Sequence, residues 1–223
     1  MKKLFTAIRA SDIETVRQII EKQPALVNCS AKQPPKKDDG QSPLQVALKT
    51  GHTAIANYLL DMGADVSFME NESCCNNWRA PVLHDAIVCS VMLSRWNIND
   101  ECVGFRVFST KDSAVEALDI LKRMLAMGAN VNALDSYGFS GLNRFASQAK
   151  QILPSYNYAE HVEMKDRLFT DELHEDLRNI LQVLKDAGAD TSHKAPKLGY
   201  TVREFCSKGS ISILFNEVFG CEP

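Results

Sequence analysis

Residues 40–66 read GQSPLQVALKTGHTAIANYLLDMGADV, and this stretch contains the clearest structural pattern in the chain. Ser42 is a residue type that caps helices, and Pro43 would occupy the first helical position, where a missing N–H costs nothing. The apolar residues that follow recur at helical spacing in two runs, which are separated by Gly51. Gly63 then supplies a residue that readily adopts the left-handed conformation at a helix end. The stretch therefore predicts a helix pair, which cannot bury its apolar face without stacked neighbours.

The stretch resembles an ankyrin repeat. The family pattern is Gly-x-Thr-Pro-Leu-His-x-Ala, followed by Gly-His, Leu-Leu and Gly-Ala-Asp-Val-Asn. Ser42 replaces the threonine and Gln45 replaces the histidine. The matching residues are Gly40, Pro43, Leu44, Ala47, Gly51, His52, Leu59, Leu60, Gly63, Ala64, Asp65 and Val66. The resemblance implies an all-α solenoid, a right-handed stack of helix–loop–helix units whose loops project like fingers.

Partial copies of the pattern recur along the whole chain and predict one array of five units. The terminal units are expected to be caps, because the ends of such an array need a polar outer side. The predicted units are 1–28, 39–67, 78–132, 135–191 and 197–219. Capping boxes, in which a Ser or Thr is followed three residues later by Glu, are predicted at Ser11, Ser113 and Thr201.

The spacing between the matching leucine and glycine of each unit predicts two insertions. The spacings are 19 residues from Leu44 to Gly63, 45 from Leu83 to Gly128 and 46 from Leu142 to Gly188. The third and fourth units thus carry 26 and 27 extra residues, fewer than the roughly 33 of a further repeat. We expect helical or loop insertions at about 90–112 and 149–170, between the two helices of each unit and side by side in the stack.

Both insertions are rich in apolar residues, and long apolar loops are usually packed or functional. Two interpretations stay open. The insertions pack on each other as an accessory core, or they also form a platform for a partner. In the second case Trp96, Tyr156 and Tyr158 would be the aromatic anchors.

Composition excludes several classes of protein. The chain has 223 residues, 45% of them hydrophobic, and a net charge of −3, which does not favour nucleic acid or an anionic membrane as a partner. No apolar run approaches the roughly 20 residues of a membrane span, and the N-terminal apolar segment is too short for a signal peptide. Seven scattered cysteines, an odd number, favour free thiols in a reducing cytoplasm. They are Cys29, Cys74, Cys75, Cys89, Cys102, Cys206 and Cys221.

The sequence offers no catalytic or metal-binding motif. Cys74, Cys75, His84, Cys89 and Cys102 include no Cys-x-x-Cys pair, from which structural zinc sites usually start. The acidic segment 171–176 contains a histidine but no Glu-x-x-His pair, and its carboxylates suit the first turn of a helix. Phosphate-binding, dinucleotide-binding and nucleophile-elbow motifs do not occur. We therefore expect no metal, no cofactor and no catalytic residues.

The resemblance implies binding to another protein through the concave face of the inner helices and through the fingers. The partner-facing positions that it carries onto this sequence are Lys37, Asp38, Gln41, Lys49 and Thr50, then Asn77, Trp78 and Ala80, and then Ser136, Tyr137 and Phe139. Trp78, Tyr137 and Phe139 form an aromatic row that we expect to be the binding hot spot. The expected function is that of an adaptor, scaffold or inhibitor. The alternatives are a self-associating structural protein and, third, a metal-dependent or enzymatic site in the insertions.

Overall fold

The computed structural model describes residues 1–220, so Cys221, expected to be a free thiol, lies outside the described residues. Ten α-helices follow one another in five pairs within that range. They are α1 (Lys2–Arg9), α2 (Ile13–Lys22), α3 (Pro43–Lys49), α4 (Thr53–Asp61), α5 (Val82–Met92), α6 (Lys111–Ala126), α7 (Gly141–Ile152), α8 (Asp171–Asp186), α9 (Val202–Phe205) and α10 (Ser210–Phe219). Short 3-10 turns lie at Pro24–Asn28 and Lys36–Asp38.

The helices stack in two layers. The first helix of each pair forms the inner layer, in which α1, α3, α5, α7 and α9 each contact the next. The second helices, α2, α4, α6, α8 and α10, form the outer layer in the same order. One continuous core of buried aliphatic side chains runs between the layers, and Phe145 meets Phe215 at its C-terminal end with ring centroids 6.3 Å apart. The expected helical solenoid is confirmed.

Two of the predicted helix caps differ from the structure. Asp12, not Ser11, caps α2 by accepting a hydrogen bond from the Thr15 amide at 3.0 Å. Ser11 instead has a positive φ of 57°, whereas a capping residue needs an extended backbone. Thr110, not Ser113, caps α6, so this helix begins before the predicted box. Thr201 does form its predicted box with Glu204.

The extra residues of the third and fourth units are divided between helices and connections. In the second unit the connection between the helices has three residues, 50–52. The corresponding connections are the first insertion, 93–110, and the second insertion, 153–170, each of 18 residues. The rest lies in the helices: α5 and α7 exceed α3 by four and five residues, and α6 and α8 each exceed α4 by seven. The insertions are therefore shorter than the expected 90–112 and 149–170.

Each insertion contains an antiparallel β-hairpin, where helix or loop was expected. The first hairpin pairs β1 (Asn97–Asp100) with β2 (Gly104–Val107), and the second pairs β3 (Tyr156–Asn157) with β4 (Val162–Glu163). The array is thus mostly α-helical, with two small sheets on one side.

Hydrogen bonds join the two insertions side by side. The Asn99 amide donates to the Asp166 carbonyl at 2.8 Å, so the 165–168 segment runs along the outer side of β1. The Asn97 side chain both donates to the Leu168 carbonyl and accepts from the Leu168 amide, each at 2.8 Å. Polar contacts therefore connect the two insertions at this junction.

Candidate protein-binding surface

Asp135 connects two neighbouring fingers, which are the loops that precede α5 and α7. Its buried carboxylate accepts a hydrogen bond from Trp78 Nε1 through Oδ2 at 2.8 Å. The other oxygen, Oδ1, accepts from the backbone amides of Tyr137 at 2.8 Å and Phe139 at 3.0 Å. One carboxylate thus holds the Trp78 side chain and the backbone of Tyr137 and Phe139.

Ser136 adds a second connection between the same fingers. Its amide donates to the Arg79 carbonyl at 2.9 Å, and its hydroxyl accepts from the Arg79 amide at 3.0 Å while donating to the Asn77 carbonyl at 3.1 Å. Ser136 is therefore engaged inside the protein and serves to align the fingers.

Cationic side chains lie over the finger aromatics. The Arg144 guanidinium is 4.8 Å and the Lys49 ammonium 5.6 Å from the centre of the Trp78 ring. The Lys197 ammonium lies 4.0 Å from the centre of the Tyr137 ring. These distances are within the range of cation–π attraction. We call Trp78, Tyr137, Lys49, Arg144 and Lys197 the aromatic–cation row.

Two buried carboxylates lie beneath Lys49. The Lys49 ammonium is 3.7 Å from Glu70 Oε1 and 3.7 Å from Asp85 Oδ1. Burial raises the pKa of Asp85 to about 7, an effect that Lys49 opposes and Glu70 reinforces. Oδ2 of Asp85 has no hydrogen-bond partner among residues 1–220. Below about pH 7 this carboxyl is neutral, which leaves Lys49 less compensated and the row more positive.

Several predicted partner-facing residues lie inside the protein. Asp38 is 1% exposed and is paired with Arg9, whose Nε donates to Asp38 Oδ2 at 2.6 Å. Gln41 is also buried, and its backbone carbonyl accepts from the Ala31 amide at 2.8 Å in a contact between two loop segments. Ala80 is fully buried. These three residues do not present their side chains to a partner.

The other predicted finger residues are accessible to different degrees. Lys37 and Asn77 are exposed, and Phe139 is half-buried. Thr50 is half-buried and uses its hydroxyl to donate to the Val46 carbonyl at 2.7 Å at the end of α3, which is a structural role.

The aromatic residues of the insertions have unequal positions. Trp96 stacks on Phe108 with ring centroids 4.2 Å apart and donates through Nε1 to the Met92 carbonyl at 3.1 Å, so it anchors the first insertion. Tyr156 meets Tyr158 edge to face at 5.0 Å. Tyr158 is 64% exposed and is the only one of the three candidate aromatics that is largely free to contact a partner.

The described cysteines do not form a reactive or metal-binding group. Burial raises the pKa of Cys89 and of Cys206 to about 12, so both thiols stay protonated and unreactive near neutral pH. Among residues 1–220, no three His, Cys, Asp or Glu side chains converge as metal ligands would. In the same range, no helix is both long enough and apolar enough to cross a bilayer.

Sequence reasoning missed three residues of this surface. Asp135 could have been found, because an Asp three positions before Gly138 is typical of a turn in which the side chain binds the backbone. Arg144 and Lys197 carry no such signal, since only the stacking of units brings them to Trp78 and Tyr137.

Comparison with known proteins agrees with the architecture. Residues 3–91 match the family model described as ankyrin repeats in three copies. No curated protein gives a significant match to the chain. The matched range covers the first two helix pairs and most of α5, and the same stacking continues through α10. Residues 3–91 of the chain are therefore ankyrin repeats.

Proposed function

We propose that this chain is a non-catalytic module that binds another protein through the aromatic–cation row. Ankyrin repeats are in general protein–protein interaction modules. The observation that supports the row is one buried carboxylate, Asp135, which holds the Trp78 side chain and the Tyr137 backbone. Aromatic anchors that are ordered before binding lose little conformational entropy when a partner arrives, which favours affinity.

The charge of the row defines the chemistry of the partner. Lys49, Arg144 and Lys197 place three cations beside two aromatic rings, and aromatic residues with arginine are enriched in binding hot spots. A segment that carries carboxylates next to an apolar side chain complements this arrangement. Its association rate would fall as the salt concentration rises.

A role as adaptor, scaffold or inhibitor and a cytoplasmic location belong to the same proposal. The six described cysteines are all free, which suits a reducing compartment. The choice among the three roles depends on what the partner does once it is bound.

The test uses the tagged full chain to purify partners from cell extract, followed by calorimetry with the partner identified. The variant is Tyr137→Ser with Lys197→Ser, and Lys122→Ser on the outer helix α6 is the control. Trp78→Ala is less suitable, because it leaves the buried Asp135 Oδ2 without its donor and would reduce stability as well.

We expect the double variant to bind the partner about 30-fold more weakly, the size of one hot-spot loss, while the control binds normally. Unchanged thermal unfolding would show that the array is intact. Equal affinities of wild type and double variant for the same partner would exclude the row as the binding surface.

Self-association is a second candidate, supported by the exposed apolar side chains on the hairpins. Val103, Phe105 and Val107 are 66%, 51% and 44% exposed. Exposed apolar patches often mark association sites. Light scattering over a range of concentrations tests this function, and a monomer at the highest concentration would remove it.

A further inference from the structure

The outer edge of β2 is an open strand edge. Strand β1 lies between the 165–168 segment on one side and β2 on the other. All four residues of β2, Gly104–Val107, are exposed, and so are the flanking residues Val103 and Phe108. Within residues 1–220 no strand pairs with the outer side of β2.

The register of the hairpin shows which backbone groups point outward. The Phe108 amide donates to the Trp96 carbonyl at 2.9 Å, while Asn97 faces Val107 and Asn99 faces Phe105. In an antiparallel ladder with this bond, Ile98 and Arg106 exchange the next hydrogen bonds. The Asn99 amide accordingly points away from β2, to the Asp166 carbonyl. The N–H and C=O groups of Phe105 and Val107 therefore point away from β1 and out of the sheet edge.

Side chains on this edge alternate in character. Phe105 and Val107 lie on one face of the hairpin and are both about half exposed. Arg106 lies on the other face, 5.1 Å from the Phe108 ring centre, and forms no ion pair with a carboxylate of residues 1–220. The edge thus offers two pairs of outward backbone groups, an apolar pair of side chains and one uncompensated cation.

A second copy of the chain fits this edge poorly. A symmetric antiparallel pairing that uses both outward residues would place Phe105 opposite Val107 of the second copy, and Arg106 would then face its own equivalent. Like charges directly opposite each other destabilise a sheet. Shifting the register toward the turn brings in Val103, whose amide already donates to Asp100 Oδ1 at 2.9 Å, and shifting it the other way brings in Ser109, which is half-buried and lies beyond the end of β2. An acidic segment of another protein meets neither obstacle.

We propose that the open edge of β2 binds an extended segment of a partner protein by strand addition. The segment runs antiparallel to β2, with an acidic residue opposite Arg106 and apolar residues opposite Phe105 and Val107. Backbone hydrogen bonds supply affinity in this mode of recognition and alternate side chains supply specificity. The inference rests on the proposed function of binding another protein, but it uses a surface separate from the aromatic–cation row.

The test titrates the full chain with the capped peptide Ser-Thr-Ile-Glu-Ile-Thr-Ser. One control peptide has Lys in place of Glu, and another carries N-methyl groups on both Ile amides, which removes the donors to β2. The protein variants are Arg106→Glu and, as a check on the separate row, Tyr137→Ser with Lys197→Ser. Binding is followed by NMR, together with hydrogen exchange of the individual amides.

We expect saturation by the acidic peptide to slow the exchange of the Phe105 and Val107 amides, whereas the Arg106 amide, already bonded to β1, changes little. N-methylation should abolish binding. Arg106→Glu should bind the acidic peptide about fivefold more weakly and should prefer the Lys peptide, because the change replaces an opposite-charge pair across the strands by a like-charge pair. The row variant should bind the peptide normally, so that failure of one surface is distinguishable from failure of the other.

Three results would overturn the inference. The first is no binding of the acidic peptide up to about 2 mM, a concentration at which even a weak strand addition is visible. The second is binding that leaves the Phe105 and Val107 amides unprotected. The third is sedimentation of the protein alone as a dimer with those two amides protected, which would assign the edge to a second copy.

Discussion

The two insertions have the same length and the same place in their units, yet they serve the array differently. The second insertion, 153–170, is fastened to the last unit: Glu163 accepts hydrogen bonds from the Ser210 amide at 2.5 Å and from the Ser210 hydroxyl at 2.8 Å. The first insertion, 93–110, is fastened at its base and along β1, and it leaves β2 exposed.

The difference follows from the neighbours of each insertion. The second insertion lies between the first insertion and the N-terminus of α10, so both of its flanks are covered. The first insertion faces the second insertion on one flank and the second unit on the other. That unit joins its helices with three residues, 50–52, which are too few to extend beside β2. The first insertion lies next to a unit without an insertion and therefore keeps an open strand edge. The second insertion has a hydrogen-bonded neighbour on each flank and acts as a brace, because it links the first insertion to the last unit.

The largest expected effect concerns the base of the first insertion. Arg95 bonds Asp176 of α8 through Nε at 3.0 Å and through Nη2 at 2.7 Å, and the Asp176 side chain is 9% exposed. Arg95→Ala would leave that carboxylate without its guanidinium, so we expect a loss of about 3 kcal/mol in the free energy of unfolding, measured in urea. The control Arg106→Ala, an exposed arginine of the same insertion, should change it by less than about 0.5 kcal/mol. Equal losses of unfolding free energy in Arg95→Ala and Arg106→Ala would show that the contact between Arg95 and Asp176 does not anchor the first insertion.

A smaller effect should separate the anchored hairpin from the open one. Gly209 and Gly104 have φ values of 71° and 79°, so alanine is strained at both, by about 1–3 kcal/mol, and most at Gly209, whose ψ of −168° is essentially restricted to glycine. At Gly209 a Cβ would also lie 2.7 Å from Glu163 Oε1, whereas at Gly104 it would meet nothing within 4 Å. Gly209→Ala should therefore lower the unfolding free energy by about 1 kcal/mol more than Gly104→Ala does. Equal denaturation midpoints of the two variants would show that the contact between Glu163 and the start of α10 does not stabilise the array.

The smallest effect is a response of the second insertion to acid. Burial raises the pKa of Asp166, but hydrogen bonds from the Ser155 hydroxyl at 2.6 Å and amide at 3.0 Å, with the Arg167 charge, bring the pKa below its usual value. A lowered folded-state pKa gives stability that is present above about pH 4 and is lost as the pH falls through the folded value. Asp166→Asn should thus cost less than about 1 kcal/mol at about pH 7 and nothing at about pH 2. A cost that is the same at both pH values would show that the carboxylate charge is not involved.

Much of the fold could be predicted from the sequence, because each helix pair repeats a local pattern. Ser42 does cap α3, and its amide bonds the Gln45 side chain in a capping box. The bounds of the insertions differ from the expected ones, because α5 and α7 continue to Met92 and Ile152, past the expected starts at about 90 and 149. The strand β1 was not expected, since it reads Asn-Ile-Asn-Asp and shows no run of apolar residues. That strand is set by hydrogen bonds to the other insertion, about 70 residues away.

The binding surface was less accessible to sequence reasoning. Trp78 and Tyr137 were selected by their positions in the repeat, whereas the cations over their rings come from other units. Asp38 occupies a finger position, yet Arg9, 29 residues earlier, draws it inside. A repeat pattern specifies the backbone of a finger, but the neighbouring unit decides which side chains remain outside.

The longer helices of units three and four also have a consequence for the order of unfolding. Seven additional residues lengthen α6 and α8 by about 10 Å each. The contact between α5 and α7 is likewise the most extensive between helices in the described part of the chain. In a linear array, cooperativity passes only between nearest neighbours, so the strongest interface sets the most persistent unit. The centre of this array should therefore unfold last, with the short helices α1 and α9 fraying first, and the two proposed binding surfaces belong largely to its most durable part.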